Sequence, residues 1–412
     1  MALIVQKYGG SSVADPERIR DVARRVARAR KGGDKVVAVV SAMGDTTDEL
    51  TALAHRVSAA PTDREIDMLL STGEQVTAAL LAMALHDLGV DAVSLTGGQV
   101  GIATDGAHRR AKIIGISTGK IAEHLARGTV VVVAGFQGVD EDLDITTLGR
   151  GGSDATAVAL AAVLGADVCR IYKDVEGVYT ADPRIVPAAG KIDRIGYDEM
   201  LEMASLGAQV LQSRAVEFAK KYGIKVEILS SFNDAPGTVV SGEGGKMEDL
   251  VIRAVTVDRG EAKLTIRRVP DRPGIAASIF GAMAEANVNV DMIIQNVSED
   301  GYTDVSFTVS REDCARAVRA LERTAAGIGA KGITRDERIA KVSVVGVGMK
   351  SHKGVASTMF GTLAREGINI EMISTSDIKI SCVVDEADLE RAARALHAAF
   401  GLGADGEAGQ ER

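Results

Sequence analysis

Thr129-Val130-Val131-Val132-Val133-Ala134-Gly135-Phe136 is a run without a single charge, built on four consecutive valines and ended at a glycine. A stretch this apolar and β-branched, with no alternation of polar and apolar positions, describes a strand buried on both faces. Similar runs recur at Leu3 to Gln6, Val36 to Ser41, Ala92 to Leu95, Val168 to Lys173 and Val226 to Leu229, with helical patterns between them. That order predicts an α/β fold from Ala2 to about Phe232, a mainly parallel sheet covered on both faces. The first helix has a readable start: Asp15 can cap, Pro16 suits the first helical position and Glu17 favours the positive helix end. It is expected from Pro16 to about Lys31, before Gly32-Gly33.

The chain has 412 residues, enough for two or three domains with cores of their own. Hydrophobic residues make up 46% and charged residues 25%, the balance of a globular chain. A net charge of −9 repels nucleic acid and anionic membrane, so neither is expected as a partner. Cys169, Cys314 and Cys382 are widely spaced and form no CxxC pair, which argues against a disulfide framework or a zinc site and for a reducing, cytoplasmic setting. No export leader is read at Met1 to Lys7, and no uninterrupted apolar stretch reaches the ~20 residues of a membrane helix. Aromatics are only 3% while glycine numbers 45, so binding is expected to rest on backbone amides and charges, as for a phosphate or small anion.

Residues 233 to 249 change character, with Asn233-Asp234-Ala235-Pro236-Gly237 and Gly242 to Gly245 reading as turns and linker, so a boundary is expected near 245. Beyond it lies an internal repeat. Pro273-Gly274 with Asn289 to Ile293 is echoed by Lys353-Gly354 with Asn369 to Ile373, each at an interval of 80 residues. Each copy reads strand, glycine-started helix, strand, strand, helix, a ferredoxin-like βαββαβ plan short of its last strand. The expected organisation is a catalytic domain over 1–245, a linker and first strand over 246–262, modules over 263–337 and 338–400, and a frayed tail over 401–412.

Four stretches carry chemistry. Lys7-Tyr8-Gly9-Gly10-Ser11-Ser12 sets a lysine at a strand end before two glycines, where an open α/β sheet binds ligands and where backbone amides can approach phosphate. By itself this could equally be a Gly-Gly turn with a surface lysine. Leu148-Gly149-Arg150-Gly151-Gly152-Ser153-Asp154 brackets an arginine with glycines before a helix expected from Ala155 to Leu164, an anion cradle whose helix Ser153 or Asp154 could also cap. It fits neither the dinucleotide fingerprint nor a P-loop. Ser41 to Thr47 and Ser71 to Gln75 offer hydroxyls and a carboxylate, Glu74, for an amino acid, although Thr47 and Glu74 could be simple caps. Lys173 to Arg184 ends a strand in an acidic loop. Asp140, Asp142 and Asp144 lack the glycine of a calcium loop and read as surface charge.

In this order and combination the stretches closely resemble the aspartate kinases of the amino-acid kinase superfamily, whose C-terminal ACT regulatory domains resemble the two repeat modules. The resemblance covers nearly the whole chain. It implies a three-layer αβα kinase domain with two ACT modules, and ATP-dependent phosphorylation of the side-chain carboxylate of L-aspartate, opening lysine, threonine and methionine biosynthesis. By resemblance Lys7 and Asp154 are catalytic, with Asp154 organising cations. Ser41, Thr47, Glu74, Arg150, Gly151 and Ser153 hold aspartate. Lys7, Gly9, Gly10, Ser11, Lys173, Asp174, Tyr179, Asp182, Arg184 and Gln209 hold ATP with Mg²⁺, no residue being a resident metal ligand. Where the family usually carries a nucleotide-contacting lysine this chain has Gln209, a neutral amide that can still hydrogen-bond. Threonine, lysine or both are implied as effectors, held by Asp271, Gly274, Ala276, Asp291, Gln295, Asn369 and Ile370. The implied assembly is a homo-oligomer through the ACT modules or a hetero-oligomer with a separate regulatory subunit. The alternatives are another amino-acid kinase of the same fold, or an idle amino-acid sensor that keeps only its regulatory modules.

Overall fold

The computed structural model describes residues 1–207, 210–242, 251–296, 300–347, 349 and 352–403. The chain divides into two compact units: Met1–Val178, Lys191–Ser205 and Gln209–Lys246 in the first, and Tyr179–Gly190, Leu206–Ala208 and Met247–Arg412 in the second. Two short segments upstream of residue 245 thus cluster with the C-terminal unit, which no composition shift announces.

In the first unit the main sheet runs Arg194–Gly196, Thr238–Ser241, Val226–Ser230, Val168–Lys173, Leu3–Tyr8, Lys35–Val40, Val130–Ala134 and Ala92–Leu95. All described neighbours pair in parallel except Val226–Ser230 with Thr238–Ser241. The valine run is the fully buried strand Val130–Ala134. Helices Pro16–Lys31 and Asp63–Asp87 bury Val22, Val26, Leu81 and Leu85 against one face, with Val36, Val40, Val130 and Val132 beneath them. Helix Gly152–Leu164, buried from Gly152 to Ala161, packs on the central strands. Asp15 caps the first helix, accepting from the Arg18 amide at 2.8 Å, with Pro16 opening it.

Two expectations shift. Thr238–Ser241 is a strand of the main sheet within a stretch read as turns and linker. Glu74 is no cap: Ser71 to Gln75 lies inside the 25-residue helix Asp63–Asp87. That helix tolerates Gly73 because a Cβ there would meet Ala42 Cβ at 2.8 Å, and this close approach brings Glu74 to the end of strand Lys35–Val40. The helix is long and apolar enough to cross a membrane by composition, but half of its apolar window is buried in the unit.

In the second unit each repeat builds a four-stranded antiparallel sheet, ordered Val290–Gln295, Tyr302–Ser310, Glu261–Pro270, Gly332–Asp336 and Met372–Thr375, Lys379–Asp385, Ile339–Val345, Ala254–Asp258. The last strand thought missing is present in the first module as Gly332–Asp336, antiparallel to Glu261–Pro270. In the second module the equivalent edge is filled by Ala254–Asp258, which precedes the first module in the chain and pairs with Ile339–Val345. Helices Ile275–Glu285 and Val355–Arg365 both open on a left-handed glycine, Gly274 with φ 93° and Gly354 with φ 103°. The segment Tyr179–Gly190 is tied into this unit, where Val255 N donates to Thr180 O at 2.8 Å and Ala181 and Val186 enter the core.

Candidate active site

Adjacent parallel strands Leu3–Tyr8 and Val168–Lys173 end together, with Lys7 opposite Ile171 and Tyr8 opposite Tyr172 in register. Between these ends rises the first turn of helix Gly152–Leu164, so Lys7, Lys173 and Asp154 converge. Lys7 Nζ stands 2.6 Å from Asp154 Oδ1, and Lys173 Nζ donates to Asp154 Oδ2 at 2.9 Å. Lys7 is 5% exposed and Asp154 1%. Burial favours the neutral acid, but the ammonium groups of Lys173 and Lys7 override it and hold Asp154 down at about 2. Burial likewise lowers the pKa of Lys7, against the attraction of Asp154. Two cations share one anion here, so the cluster carries a surplus positive charge in a water-poor setting. The thiol of Cys169, buried nearby, is pushed far above its ordinary range by burial and Asp154.

The arginine-bracketing loop is built differently from the sequence expectation. The helix opens at Gly152, three residues before Ala155, behind Gly151 at φ 69°, with no side-chain cap from Ser153 or Asp154. Asp154 is spent on the lysines instead. A side chain at Gly151 would meet Gln212 Cγ at 1.6 Å, so the turn is closed to any other residue. Ser153 is buried, and Arg150 is exposed at the mouth of the loop. Gly9 is buried and Ser11 exposed; Ser12 Oγ lies 2.5 Å from Ser231 Oγ, joining two strand ends.

Glu74 is 3% exposed and accepts from Ala42 N at 3.1 Å through Oε1. Its Oε2 is buried without a hydrogen-bond partner among the described residues, and burial pushes the carboxyl up to about 7. Ser41, whose amide donates to Tyr8 O at 3.1 Å, and Thr47, in the first turn of helix Thr46–Val57, are half-buried. His108, Asp140 and Asp144 bring possible metal-ligand atoms within 4.8 Å of one another. Asp144 is however engaged by Arg64 at 2.6 Å, in keeping with surface charge.

Asp174 is exposed just past Lys173. Tyr179, Asp182 and Arg184 belong to the segment counted with the second unit, where Asp182 Oδ2 accepts from Arg184 Nη2 at 2.8 Å. Gln209 lies outside the described residues. Of the expected effector residues, Asp271, Gly274, Ala276, Gln295 and Asn369 are exposed, while Ile370 packs against the second module's core. Asp291 is engaged from within the protein: Lys341 Nζ, 2% exposed, donates to Asp291 Oδ2 at 2.5 Å and also to Glu261. Its carboxylate therefore joins an ion cluster linking the two modules. A second link of the same kind runs from Lys263 Nζ to Glu371 Oε2 at 2.9 Å, Glu371 being the repeat equivalent of Asp291.

Residues 2–230 match the amino acid kinase family, and residues 267–324 and 342–400 match the ACT domain. An aspartokinase of Pseudomonas aeruginosa is 57% identical over 412 residues, 100% of both chains. The structure of E. coli aspartokinase III in complex with aspartate and ADP aligns with a TM-score of 0.84 at 27% identity, over 96% of this chain and 99% of that one. The complex of that enzyme with lysine and aspartate aligns at a TM-score of 0.73 and 27% identity, over 97% and 99% of the two chains.

Proposed function

The chain belongs to the amino acid kinase family as an aspartate kinase with C-terminal ACT domains, and from that premise we propose how its own residues divide the work. The phosphoryl group passes from ATP to the side-chain carboxylate of L-aspartate. That carboxylate is already ionised at neutral pH, so no general base is required. A carboxylate oxygen forms the new P–O bond, the β–γ bridge breaks, ADP leaves and no proton moves. The obstacle is repulsion between two anions, which positioning and fixed positive charge overcome.

Lys7 and Lys173 meet the phosphates, and Asp154 holds both side chains aimed at them. With its pKa at about 2, Asp154 takes no proton during turnover. Gly9, Gly10 and Ser11 offer backbone amides, and Asp174, Tyr179, Asp182, Arg184 and Gln209 belong with the nucleotide. The surplus positive charge of the buried lysine pair fits a triphosphate, whose charge a bound Mg²⁺ would share. Arg150 clamps the α-carboxylate of aspartate with the amide of Gly151 and the hydroxyl of Ser153. Glu74, whose Oε2 is buried without a partner among the described residues, receives the α-ammonium, with Ser41 and Thr47 beside it. The observation that carries this reading is the Lys7, Asp154 and Lys173 cluster.

The ACT modules carry feedback control; lysine is the effector we favour, because a structural relative at 27% identity has been solved with lysine and aspartate. Threonine, alone or with lysine, is the other candidate. Self-association through the ACT modules fits the exposed Ile293 and Ile373, equivalent positions of the repeat; pairing with a separate regulatory subunit is the other arrangement. Cys169, Cys314 and Cys382, all free and buried, suit the cytoplasm, where the reaction would open lysine, threonine and methionine biosynthesis. Incubation with ATP, Mg²⁺ and aspartate in hydroxylamine tests the core of this reading. Aspartyl hydroxamate is expected, and its absence would favour the idle sensor.

A further inference from the structure

Asp67 is wholly buried on helix Asp63–Asp87, two turns before Glu74 and on the same face, with Ser71 between them. Nothing apolar explains a carboxylate there, and its partners are unusual in number. Oδ1 accepts from Thr147 Oγ1 at 2.6 Å, while Oδ2 accepts from Thr147 N at 3.0 Å, Arg109 N at 2.9 Å and His108 Nδ1 at 2.9 Å. Thr147 ends the strand Ile145–Thr147, and the chain leaves it directly into Leu148-Gly149-Arg150-Gly151-Gly152. The turn carrying His108 and Arg109 lies against the same loop: Ala111 N donates to Thr147 O at 2.9 Å, and a Cβ at Gly149 would sit 3.0 Å from Arg109 O. From the other side Arg214 donates to Leu148 O at 2.8 Å and Ala111 O at 3.0 Å. One helix therefore carries both Glu74 and the buried anchor of the loop that presents Arg150.

We propose that Asp67 is a positioning residue for substrate selection: through Thr147 it sets the Arg150 loop against Glu74, and so fixes the spacing at which the α-carboxylate and α-ammonium of one amino acid are read together. A buried carboxylate holding four donors fixes the strand end more tightly than a loop fixes itself, and misplacement of a clamp by about 1 Å costs on the order of a hundredfold. The inference rests on the assignment of Arg150 to the α-carboxylate.

The test uses the full chain and two substrates, aspartate and its α-amide, which keeps the reacting side chain but lacks the charged α-carboxylate. Asp67→Ala is expected to lower kcat/KM for aspartate about 30-fold, to leave KM for ATP within about twofold, and to shrink the preference for aspartate over the α-amide by a similar factor. Asp67→Asn keeps an acceptor toward the three N–H groups and can donate to the Thr147 hydroxyl, so it should restore most of the preference. Should Asp67→Ala fail to fold, Thr147→Val removes one donor and should give the same selective loss on a smaller scale. An equal loss for both substrates, or a preference unchanged in Asp67→Ala or Thr147→Val, overturns the proposal, as does Asp67→Asn behaving like Asp67→Ala. Arg150→Ala separates the two levels. If it abolishes the preference while the Asp67 variants keep it, only the positioning role falls; if it keeps the preference, the carboxylate clamp falls and the positioning role with it.

Discussion

Asp154 and Lys341 are the buried centres of two ion clusters with opposite arithmetic. In the kinase unit one carboxylate serves two lysines, and in the regulatory unit one lysine serves Glu261 and Asp291, with Asp258 at 4.0 Å. The first cluster is left positive beside glycines and an open loop, so its imbalance is a demand for incoming anion. The second is left negative and its lysine is sealed inside, 2% exposed, so its charges answer one another across two modules. A buried ion cluster thus reveals its purpose less by its depth than by the sign of what remains unbalanced and by whether a ligand can reach it.

The largest effect that would break this comparison is expected at Lys7. Lys7→Ala should lower kcat about 10³-fold, with KM for aspartate changed by less than about threefold, because a cation on the transferring group acts in the transition state. Near-normal turnover would mean the positive surplus is not used. Lys341→Met comes next. It strands the buried Glu261 and removes the cation facing the more exposed Asp291 and Asp258, so urea denaturation of the full chain should give a loss of about 3 kcal/mol while uninhibited turnover at low temperature persists. A loss of turnover instead would make the second cluster part of the catalytic machinery.

Glu74 sharpens the comparison as a buried acid with no cation of its own among the described residues. Its pKa in the fold, about 7, exceeds the 4.5 of a free glutamate side chain, so the folded protein holds the proton more tightly. The stability this contributes is fully present below pH ~4.5 and is lost as pH rises through 7. Binding of an ammonium requires the ionised form, so KM for aspartate should rise as pH falls below 7. Glu74→Gln should raise KM about tenfold and flatten that profile; steady-state kinetics from pH 6 to 8.5 check both. The smallest effect is expected at Lys263, whose pair with Glu371 is about a quarter exposed on either side. Lys263→Met should cost less than about 1 kcal/mol, and a loss matching Lys341→Met would show that solvent access does not separate the two links.

Much of this was legible in the chain, for physical reasons. Strands buried on both faces leave unbroken valine runs, Asp15-Pro16 marks a helix start, and the glycines beside Lys7 and Arg150 mark turns where backbone must come close. What could not be read depends on distant partners. Asp67 follows the charged helix start Asp63-Arg64-Glu65 and reads as one more surface charge, and its partners lie 41, 42 and 80 residues away. Lys341 and Glu261 are likewise 80 residues apart. Thr238–Ser241 was hidden because a four-residue strand among turn residues has too little pattern to stand out. The segment Tyr179–Gly190 reads as a continuation of a kinase loop, and only tertiary packing assigns it to the second unit.

The strand Ala254–Asp258 has a consequence for how the protein is made. It leaves the ribosome before either ACT module, yet its partner Ile339–Val345 follows only after the whole first module has been synthesised. The first module can close on its own strands in that interval, while Val255 and its neighbours wait with an unfilled hydrogen-bonding edge. Closing the second module then means joining residues 83 to 91 positions apart, a slow, high-contact-order step during which a bare strand is open to a wrong mate. A nascent chain halted between the modules would carry that hazard permanently.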